Sequence, residues 1–481
     1  MDQKRDLEGF ASGPVFTLVL RNAIPAMAAM LMVLIYNLAD TFFIGQTHDA
    51  IQVAAVSLAT PVFLIFMSVG TVFGIGGTSV ISRALGEGRK EYAKKVSAFC
   101  MWGCVIAGSV MSLFFWLFME QILGLVGATP DTWELAESYL NLVCLSGPFV
   151  LISNCFSNIL RAEGQSGKAM MGQLLGNLLN IILDPIMILG FGWNIAGAAI
   201  ATVIGNIVGA GYYLLYFWRG KSMLSIRLKD VSRNDKVCSS VLVIGVPASL
   251  GSLLMSVSQI VVNGQMSAYG DMALAGIGVA MKVTMITGMV CIGLGQGVQP
   301  LLGYCVGARL WERYQKILKF SLLFAFALST VLTSACYLCL DQIIHAFLTD
   351  QNAFAYALRF ARILLSTSFL FGVFYVLTNS LQAMGAAKAS LIISLSRQGL
   401  IYIPALFLLQ AAVGVNGLVW AQPLADVLSI ILAVILCATT TKQMMRKPIE
   451  TFRQFPETCW RPPKLTAPAA ARRCSGSSSP T

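Results

Sequence analysis

The chain has 481 residues, of which 57% are hydrophobic and only 11% are charged, and its formal net charge is +11. Soluble domains carry about 25% charged residues, so this composition excludes an ordinary soluble globular protein. The positive charge does not indicate a nucleic-acid partner either. Among the connections between long apolar segments, only alternate ones carry basic residues, as in a protein oriented in a membrane.

Apolar segments long enough to cross a bilayer, which takes about 20 residues of helix, follow one another along almost the whole chain. The sequence therefore predicts an all-α polytopic membrane protein with most of its mass in lipid. We predict twelve transmembrane helices, at residues 14–40, 52–80, 93–118, 136–159, 168–190, 195–218, 239–264, 275–300, 317–340, 357–380, 390–410 and 415–439.

The charges of the connections support this count. Lys and Arg follow spans two, four, six, eight and ten and recur in the C-terminal tail. The alternate connections contain neither, and these are residues 41–51, 119–135, 191–194, 265–274, 341–356 and 411–414. Basic connections stay in the cytoplasm, so we expect both termini to be cytoplasmic and the protein to lie in the cell membrane.

Spans one to six and seven to twelve are two copies of one unit. Gly74, Gly76 and Gly88 match Gly293, Gly295 and Gly307, each 219 residues further along the chain. Because each copy has six spans, both have the same orientation. The two lobes should be related by an axis along the membrane normal, as in transporters built of parallel repeats.

The repeat predicts how the chain is divided. A cleft between two such lobes, at the membrane midplane, is the usual site for alternating access. The basic tail is rich in Ser, Pro and Ala, and this composition predicts disorder. The predicted parts are a cytoplasmic N-terminal tail (1–13), an N-lobe (14–218), a basic linker (219–238), a C-lobe (239–440) and a cytoplasmic tail (441–481).

The fifth span carries a stripe of polar residues. Gln173, Asn177, Asn180 and Asp184 follow one another at steps of four, three and four residues, which puts them on one helix face. A charge at the bilayer centre costs about 2.5–3.5 kcal/mol on insertion scales, so the stripe predicts a functional site. The alternative is hydrogen bonding between packed helices, which Asn and Gln commonly provide.

Other N-lobe spans add polar residues at one-turn spacings, which predicts a polar pocket inside this lobe. For the aspartate of span one, the alternative is a position at the membrane surface, where the span ends. The residues are Tyr36, Asn37 and Asp40 in span one, Asn154 and Asn158 in span four, and Thr202 and Asn206 in span six.

The second copy does not repeat this pocket. Val262 stands where the first copy has Asp40, and Ile403 where it has Asp184. The spans of the C-lobe carry Lys282, Arg397 and Asp426 instead, which with the two N-lobe aspartates make five ionisable residues inside spans. These three are candidates for a C-lobe cavity. The alternative is an Arg397–Asp426 ion pair that fixes spans eleven and twelve.

The N-lobe residues suit cation chemistry. Two carboxylates among amides can take up a proton reversibly, and the same oxygens could bind Na⁺. The lack of a dense acidic cage favours H⁺. We expect no other cofactor, no metal centre and no enzymatic activity, because the sequence has no phosphate-binding loop with its lysine and no metal-ligand or nucleophile pattern.

Several motifs resemble the multidrug and toxic compound extrusion (MATE) family, and most closely its bacterial MepA-like branch. The resemblance covers residues 14–439. The motifs are A-D-T-F-F-I-G (39–45), A-A-V-S-L-A-T-P (54–61), G-I-G-G-T-S-V-I-S-R-A-L-G (74–86), R-A-E-G-Q (161–165), N-x-x-L-D-P (180–185) and G-A-A-I-A-T (197–202).

This resemblance implies a V-shaped, cation-coupled antiporter that exports lipophilic, mostly cationic drugs. The family's coupling positions in the N-lobe correspond here to Asp40, Asn180, Asp184 and Thr202. Vibrio-type members use acidic residues in spans seven and ten. This chain has Met255 at the expected glutamate position and no acidic residue in 351–384, which shifts the coupling to the N-lobe.

Amphiphilic or cationic small molecules and the lipid bilayer are the expected partners, and we expect a monomer. A flippase for a lipid-linked oligosaccharide is the alternative function. It would need a strongly cationic cavity for pyrophosphate, whereas this chain offers only Lys282 and Arg397.

Overall fold

The computed structural model describes residues 9–46, 50–126, 128–231, 236–348 and 350–446, and these ranges are helical and contain no strand. The helices of the first half are α1 (Val15–Gly45), α2 (Ala50–Gly86), α3 (Lys90–Leu117), α4 (Met119–Val126), α5 (Pro130–Leu145), α6 (Gly147–Ala162), α7 (Ser166–Pro185) and α8 (Asn194–Trp218). Those of the second half are α9 (Val237–Ser267), α10 (Asp271–Gly307), α11 (Trp311–Leu338), α12 (Leu340–His345), α13 (Gln351–Leu365), α14 (Phe371–Ala383), α15 (Ala387–Leu395), α16 (Tyr402–Val413) and α17 (Val415–Arg446).

Eleven helical segments in these ranges are long and apolar enough to cross a membrane. A twelfth span results if α5 and α6, which meet at an angle of 53°, are counted as one. The predicted all-α fold with twelve spans is confirmed. Most helices run past the predicted ends, and α1 reaches Gly45. Asp40 therefore lies inside the helix rather than at its end.

Two spans contain a turn of π-helix. One follows Pro185 and covers Ile186–Gly190, after the polar stripe of α7. The other, Ser396–Leu400, joins α15 to α16 and contains Arg397. Such turns are frequent at functional sites, and here each one lies next to a charged side chain that the sequence predicted to be important.

The lobes meet through helices α1, α2, α9 and α10. Their backbones touch where glycines leave room. A Cβ on Gly245 of α9 would overlap the carbonyl oxygen of Val72 in α2, and one on Gly297 of α10 would lie 2.7 Å from the Cα of Ala23 in α1. Toward the other end of α9, a Cβ on Gly264 would meet no atom within 4 Å. The lobes touch at the end where the basic connections lie, where a Cβ on Gly307 of α10 would also overlap the carbonyl oxygen of Arg83 in α2.

Polar contacts join the lobes at the same end. The guanidinium of Arg161, a fully buried residue of α6, donates to the Gln296 side-chain oxygen in α10 at 2.6 Å. The Ser79 hydroxyl of α2 donates to the carbonyl oxygen of Gln382 in α14. Backbone proximity and buried hydrogen bonds together close this end of the bundle.

The connection between the lobes is held against the first half of the chain. The buried carboxylate of Glu163, just after α6, accepts hydrogen bonds from the Ser222 hydroxyl at 2.8 Å and from the backbone amide of Met223. The Trp102 indole of α3 donates to the carbonyl of Ile226 at 3.2 Å. Residues 1–8 and 232–235, and the predicted tail beyond Arg446, lie outside the described residues.

We expect Gly245→Ala to weaken the contact between the lobes, because its methyl group would overlap backbone atoms of α2 that cannot rotate away. Overpacking of this kind costs about 1–3 kcal/mol. The thermal unfolding midpoint of the purified protein in detergent should fall. Gly264→Ala, in the same helix but facing open space, is the matched control. Equal midpoints for the two variants would contradict the expectation.

Candidate functional site

Two residues of the polar stripe form the centre of the N-lobe site. Asn180 and Asp184 of α7 are buried, with 2% and 0% of their surface exposed. The Asn180 amide nitrogen lies 3.3 Å from the Thr202 hydroxyl of α8 and 3.5 Å from a carboxylate oxygen of Asp184. One amide therefore links the carboxylate of one helix to the hydroxyl of the next.

Helix α1 adds two more predicted residues. In α1, Tyr36 lies near the Thr202 side chain and near both Asp40 and Asp184. Asp40 and Asp184 also interact with each other. Helix α1 continues past Asp40, and one of its carboxylate oxygens is buried, which favours a position inside the span over the alternative of an aspartate at the membrane surface.

Tyr139 belongs to the same site, although the sequence did not single it out. It lies in α5, is 8% exposed, and interacts electrostatically with Asp40, Asp184 and Tyr36. A single tyrosine in an apolar span has no spacing signal that would separate it from ordinary core residues. Only the packing of α5 against its neighbours reveals its place.

Three oxygen atoms of this site are buried and have no hydrogen-bond partner within the described ranges. They are Oδ1 of Asp40, Oδ1 of Asn180 and Oδ2 of Asp184. Leaving buried polar atoms unpaired is costly, and much more so when they are charged. The arrangement is therefore suited to receive a proton or a small cation. The described residues contain no cluster of three His, Cys, Asp or Glu side chains that could hold a metal ion.

The remaining polar residues of the N-lobe mostly join helices to one another. The Asn154 amide donates to the Met67 carbonyl of α2 at 3.2 Å, and the Gln173 amide lies 3.4 Å from the Ser157 hydroxyl. For these residues the alternative, hydrogen bonding between packed helices, fits the observed contacts.

Four others contribute little to the cluster. Asn158 accepts a hydrogen bond from Arg161 at 3.0 Å, and Asn206 donates to the Thr202 carbonyl of its own helix at 2.9 Å. Asn37 is exposed. Asn177 has a buried amide nitrogen without a hydrogen-bond partner among the described residues, so it lies on the buried face of the stripe but outside the bonded group.

The C-lobe candidates Arg397 and Asp426 form a buried ion pair, with 2.8 Å between the guanidinium Nε and a carboxylate oxygen. The guanidinium also donates to the Tyr375 hydroxyl at 3.1 Å. Gln422 and Thr367 donate to the two oxygens of Asp426 at 3.0 and 3.3 Å. Every charged atom of the carboxylate is thus paired, and the alternative of a structural ion pair is what the structure contains.

Aromatic rings enclose this pair, since the Arg397 guanidinium lies 4.6 Å from the ring centroid of Phe374 and 5.0 Å from that of Phe371. Asp426 occupies the position of Asn206 in the first copy. In the C-lobe, the carboxylate at this position is thus paired with the guanidinium of Arg397. The N-lobe has an uncharged asparagine at the same position. Lys282 donates no hydrogen bond to the pair within the described part of the chain, and its ammonium lies 5.3 Å from the Phe347 ring centroid.

The five ionisable residues that the sequence analysis places inside spans do not include two arginines of the tenth span. Arg359 and Arg362 lie in α13, within the predicted tenth span, and both are exposed. They are remote in sequence from the acidic residues of the spans and were not predicted as functional.

Comparison with known proteins decides the family. The MatE family model matches the chain twice, over residues 25–186 and 247–408. The chain belongs to the MatE family. The two matches start 222 residues apart (247 minus 25) and confirm the internal repeat of this MATE protein.

Relatives and solved structures agree with this assignment. The multidrug export protein MepA of Staphylococcus aureus is 32% identical over 429 residues, which cover 89% of this chain and 94% of that protein. MepA of Staphylococcus saprophyticus is 31% identical with the same coverage. A multidrug resistance MATE transporter in an outward-facing conformation has the same fold, with a TM-score of 0.87 at 23% identity, over 91% of this chain and 98% of the other.

A second solved structure, a transporter of the MOP superfamily from Pyrococcus furiosus, matches with a TM-score of 0.85 at 23% identity, over 92% of this chain and 98% of the other. The protein is thus a multi-pass membrane protein of the MATE family. Its relatives are named as exporters rather than enzymes.

Arg397→Met should destabilise the C-lobe, because it leaves the buried Asp426 carboxylate without its cation. Breaking one side of a buried ion pair costs about 3–5 kcal/mol. The double variant Arg397→Met/Asp426→Leu removes both charges and should recover most of this loss. Thermal unfolding in detergent measures both effects. A single variant as stable as the wild type, or a double variant no more stable than the single one, would contradict the interpretation.

Proposed function

We propose that this MATE protein is an antiporter that couples the inward movement of H⁺ to the export of lipophilic, mostly cationic compounds. The observation that carries the proposal is the N-lobe cluster, in which Asp40 and Asp184 present buried oxygens that have no partner among the residues the structure describes. Groups of this kind can alternate between a protonated and an ionised state as access changes.

We favour a proton over Na⁺ because Asp40 and Asp184 are joined by no third acidic side chain in the described residues. The neutral oxygens of Asn180 and Thr202 beside them are the ones that Na⁺ would use. The C-lobe supports the same reading, because Arg397 already neutralises Asp426. Coupling in our proposal is therefore confined to the N-lobe, and Na⁺ is the alternative ion that the experiment below distinguishes.

Helix α1 connects the coupling site to the lobe interface. It packs against α7, which carries Asp184, and against α10 of the C-lobe. Protonation of Asp40 and Asp184 from outside removes the repulsion between two carboxylates and changes the contact between α1 and α7. The same helix transmits the change to the opposite lobe. The membrane potential adds about 2.3 kcal/mol per charge for each 100 mV.

A groove between the lobes is suited to an apolar guest. It has a volume of about 180 Å³, with Leu64, Met67 and Asn154 on the N-lobe side and Leu253 and Ser256 on the C-lobe side. Flexible methionines adapt to guests of different shape. The ionised carboxylates of the cluster would favour cationic guests, and their protonation would release them. The name multidrug export protein, carried by the relatives, supports this substrate class.

The basic connections support an orientation in the plasma membrane with both termini in the cytoplasm. The end where the lobes touch would then be the cytoplasmic one, so the opposite end would admit protons and release substrate. Both lobes belong to one chain, so a monomer is sufficient for the alternating access that we propose.

The flippase alternative is disfavoured by the C-lobe ion pair. A pyrophosphate group would need several free cations in the cavity, but Asp426 neutralises Arg397. Of the two cations that the sequence predicted for the cavity, this leaves Lys282, and Arg359 and Arg362 line a separate groove between α13 and α17.

In proteoliposomes, we expect a pH gradient to drive ethidium transport by the wild-type protein without Na⁺. Asp184→Asn and Asp40→Asn should each abolish this transport, because an amide cannot exchange a proton. Glu134→Gln removes an exposed carboxylate of the same lobe and should leave transport unchanged. If both aspartate variants retain proton-driven transport, the mechanism is wrong, and if the wild type transports only with a Na⁺ gradient, the coupling ion is Na⁺.

A further inference from the structure

A groove with two arginines lies at the end of the C-lobe opposite the basic connections. It has a volume of about 500 Å³ and runs between α13 and the start of α17. Its lining includes Arg359, Arg362, Leu358, Val413 and Trp420. Apolar side chains form one part of the wall and the two guanidinium groups another, so the groove is amphipathic.

Both arginines are exposed, and neither has an ion-pair partner among the described residues. They stand three residues apart in α13, which puts them on the same helix face, and both are exposed. Neither guanidinium forms an ion pair or a hydrogen bond with another residue that the structure describes. Each therefore has its full donor capacity available for an anionic group.

Their depth corresponds to the membrane interface. The span from Gln351 to Ala383 has 33 residues and is interrupted by a 3-10 turn at Ser368–Leu370, so it is longer than the about 20 residues that cross about 30 Å of hydrocarbon. Arg359 and Arg362 lie about 12 and 17 Å from its outer end, so long side chains there reach the headgroup region. Trp420, which is 46% exposed, is a residue typical of this interface.

The fold itself does not require these charges. In the first copy, the corresponding helix α5 contains three acidic residues and no Lys or Arg. The connections at this end of the bundle also lack basic residues. The two arginines are thus a local departure from the charge pattern of the molecule, and a ligand accounts for them better than membrane orientation does.

We propose that this groove binds the phosphate headgroup of an anionic phospholipid from the leaflet on this side of the membrane. Arginine guanidinium groups pair with phosphate through two parallel hydrogen bonds. The apolar wall with Leu358, Val413 and Trp420 is continuous with the charged part and holds the acyl chains. This apolar wall commits the site to a lipid rather than to free phosphate, and the inference is independent of the transport mechanism.

The experiment measures thermal unfolding of the full chain in detergent with added phosphatidylglycerol, phosphatidylcholine or inorganic phosphate. We expect phosphatidylglycerol alone to raise the midpoint of the wild type. In Arg359→Gln/Arg362→Gln its apparent affinity should fall about thirtyfold, because each arginine at an anionic membrane surface contributes about a fivefold gain. The single variants should each lose about fivefold by the same reasoning.

Arg227→Gln/Lys229→Gln is the matched control, because it removes two exposed positive charges from the linker and should keep the wild-type response. Native mass spectrometry should count one fewer tightly bound phosphatidylglycerol in the groove variant than in this control. The proposal is overturned if phosphatidylglycerol does not stabilise the wild type, if the groove variant responds like the control, or if inorganic phosphate stabilises the wild type equally well.

Discussion

The cost of burying charge in an apolar helix bundle is the constraint on which both lobes depend. In the C-lobe this cost is offset by contacts within the lobe, because Arg397 pairs with Asp426 and every oxygen of that carboxylate has a donor. In the N-lobe, oxygens of Asp40 and Asp184 have no hydrogen-bond partner within the described part of the chain. Two copies of one unit have thus reached opposite solutions. The unsatisfied copy is the one in which a change of protonation can alter the relative stability of two conformations.

Helix α1 connects that change to the other lobe. It carries Asp40, packs against α7 with Asp184, and packs against α10 of the C-lobe. The π-helical turn after Pro185 adds a second adaptable point, since the backbone there departs from regular α-helix next to Asp184. Site and interface share one long, continuous helix. In the mechanism that we propose, protonation of two carboxylates can for this reason change the contact between the lobes.

The sequence predicted the fold almost completely and the site in part. Span number and repeat follow from apolar runs, connection charges and matched glycines, which are properties of single segments. Spacing also identified Asn180 and Asp184. Spacing shows which residues share a face but not what that face contacts, so it grouped Asn154 with the site although its amide holds α2. For the same reason, spacing did not identify Tyr139. The end of span one was predicted at Asp40 because the residues there are polar, although the helix continues to Gly45.

The glycine contacts between the lobes have a further consequence for how such a transporter diversifies. Where Gly245 meets Val72 and Gly297 meets Ala23, the lobes touch through main-chain atoms, which every sequence shares. The groove residues Leu64, Met67 and Leu253 are side chains beyond these contacts. Replacing them alters the shape offered to a guest without altering the surface on which the lobes pivot. In the mechanism that we propose, substrate range can therefore drift among descendants of this chain while the conformational cycle is inherited intact.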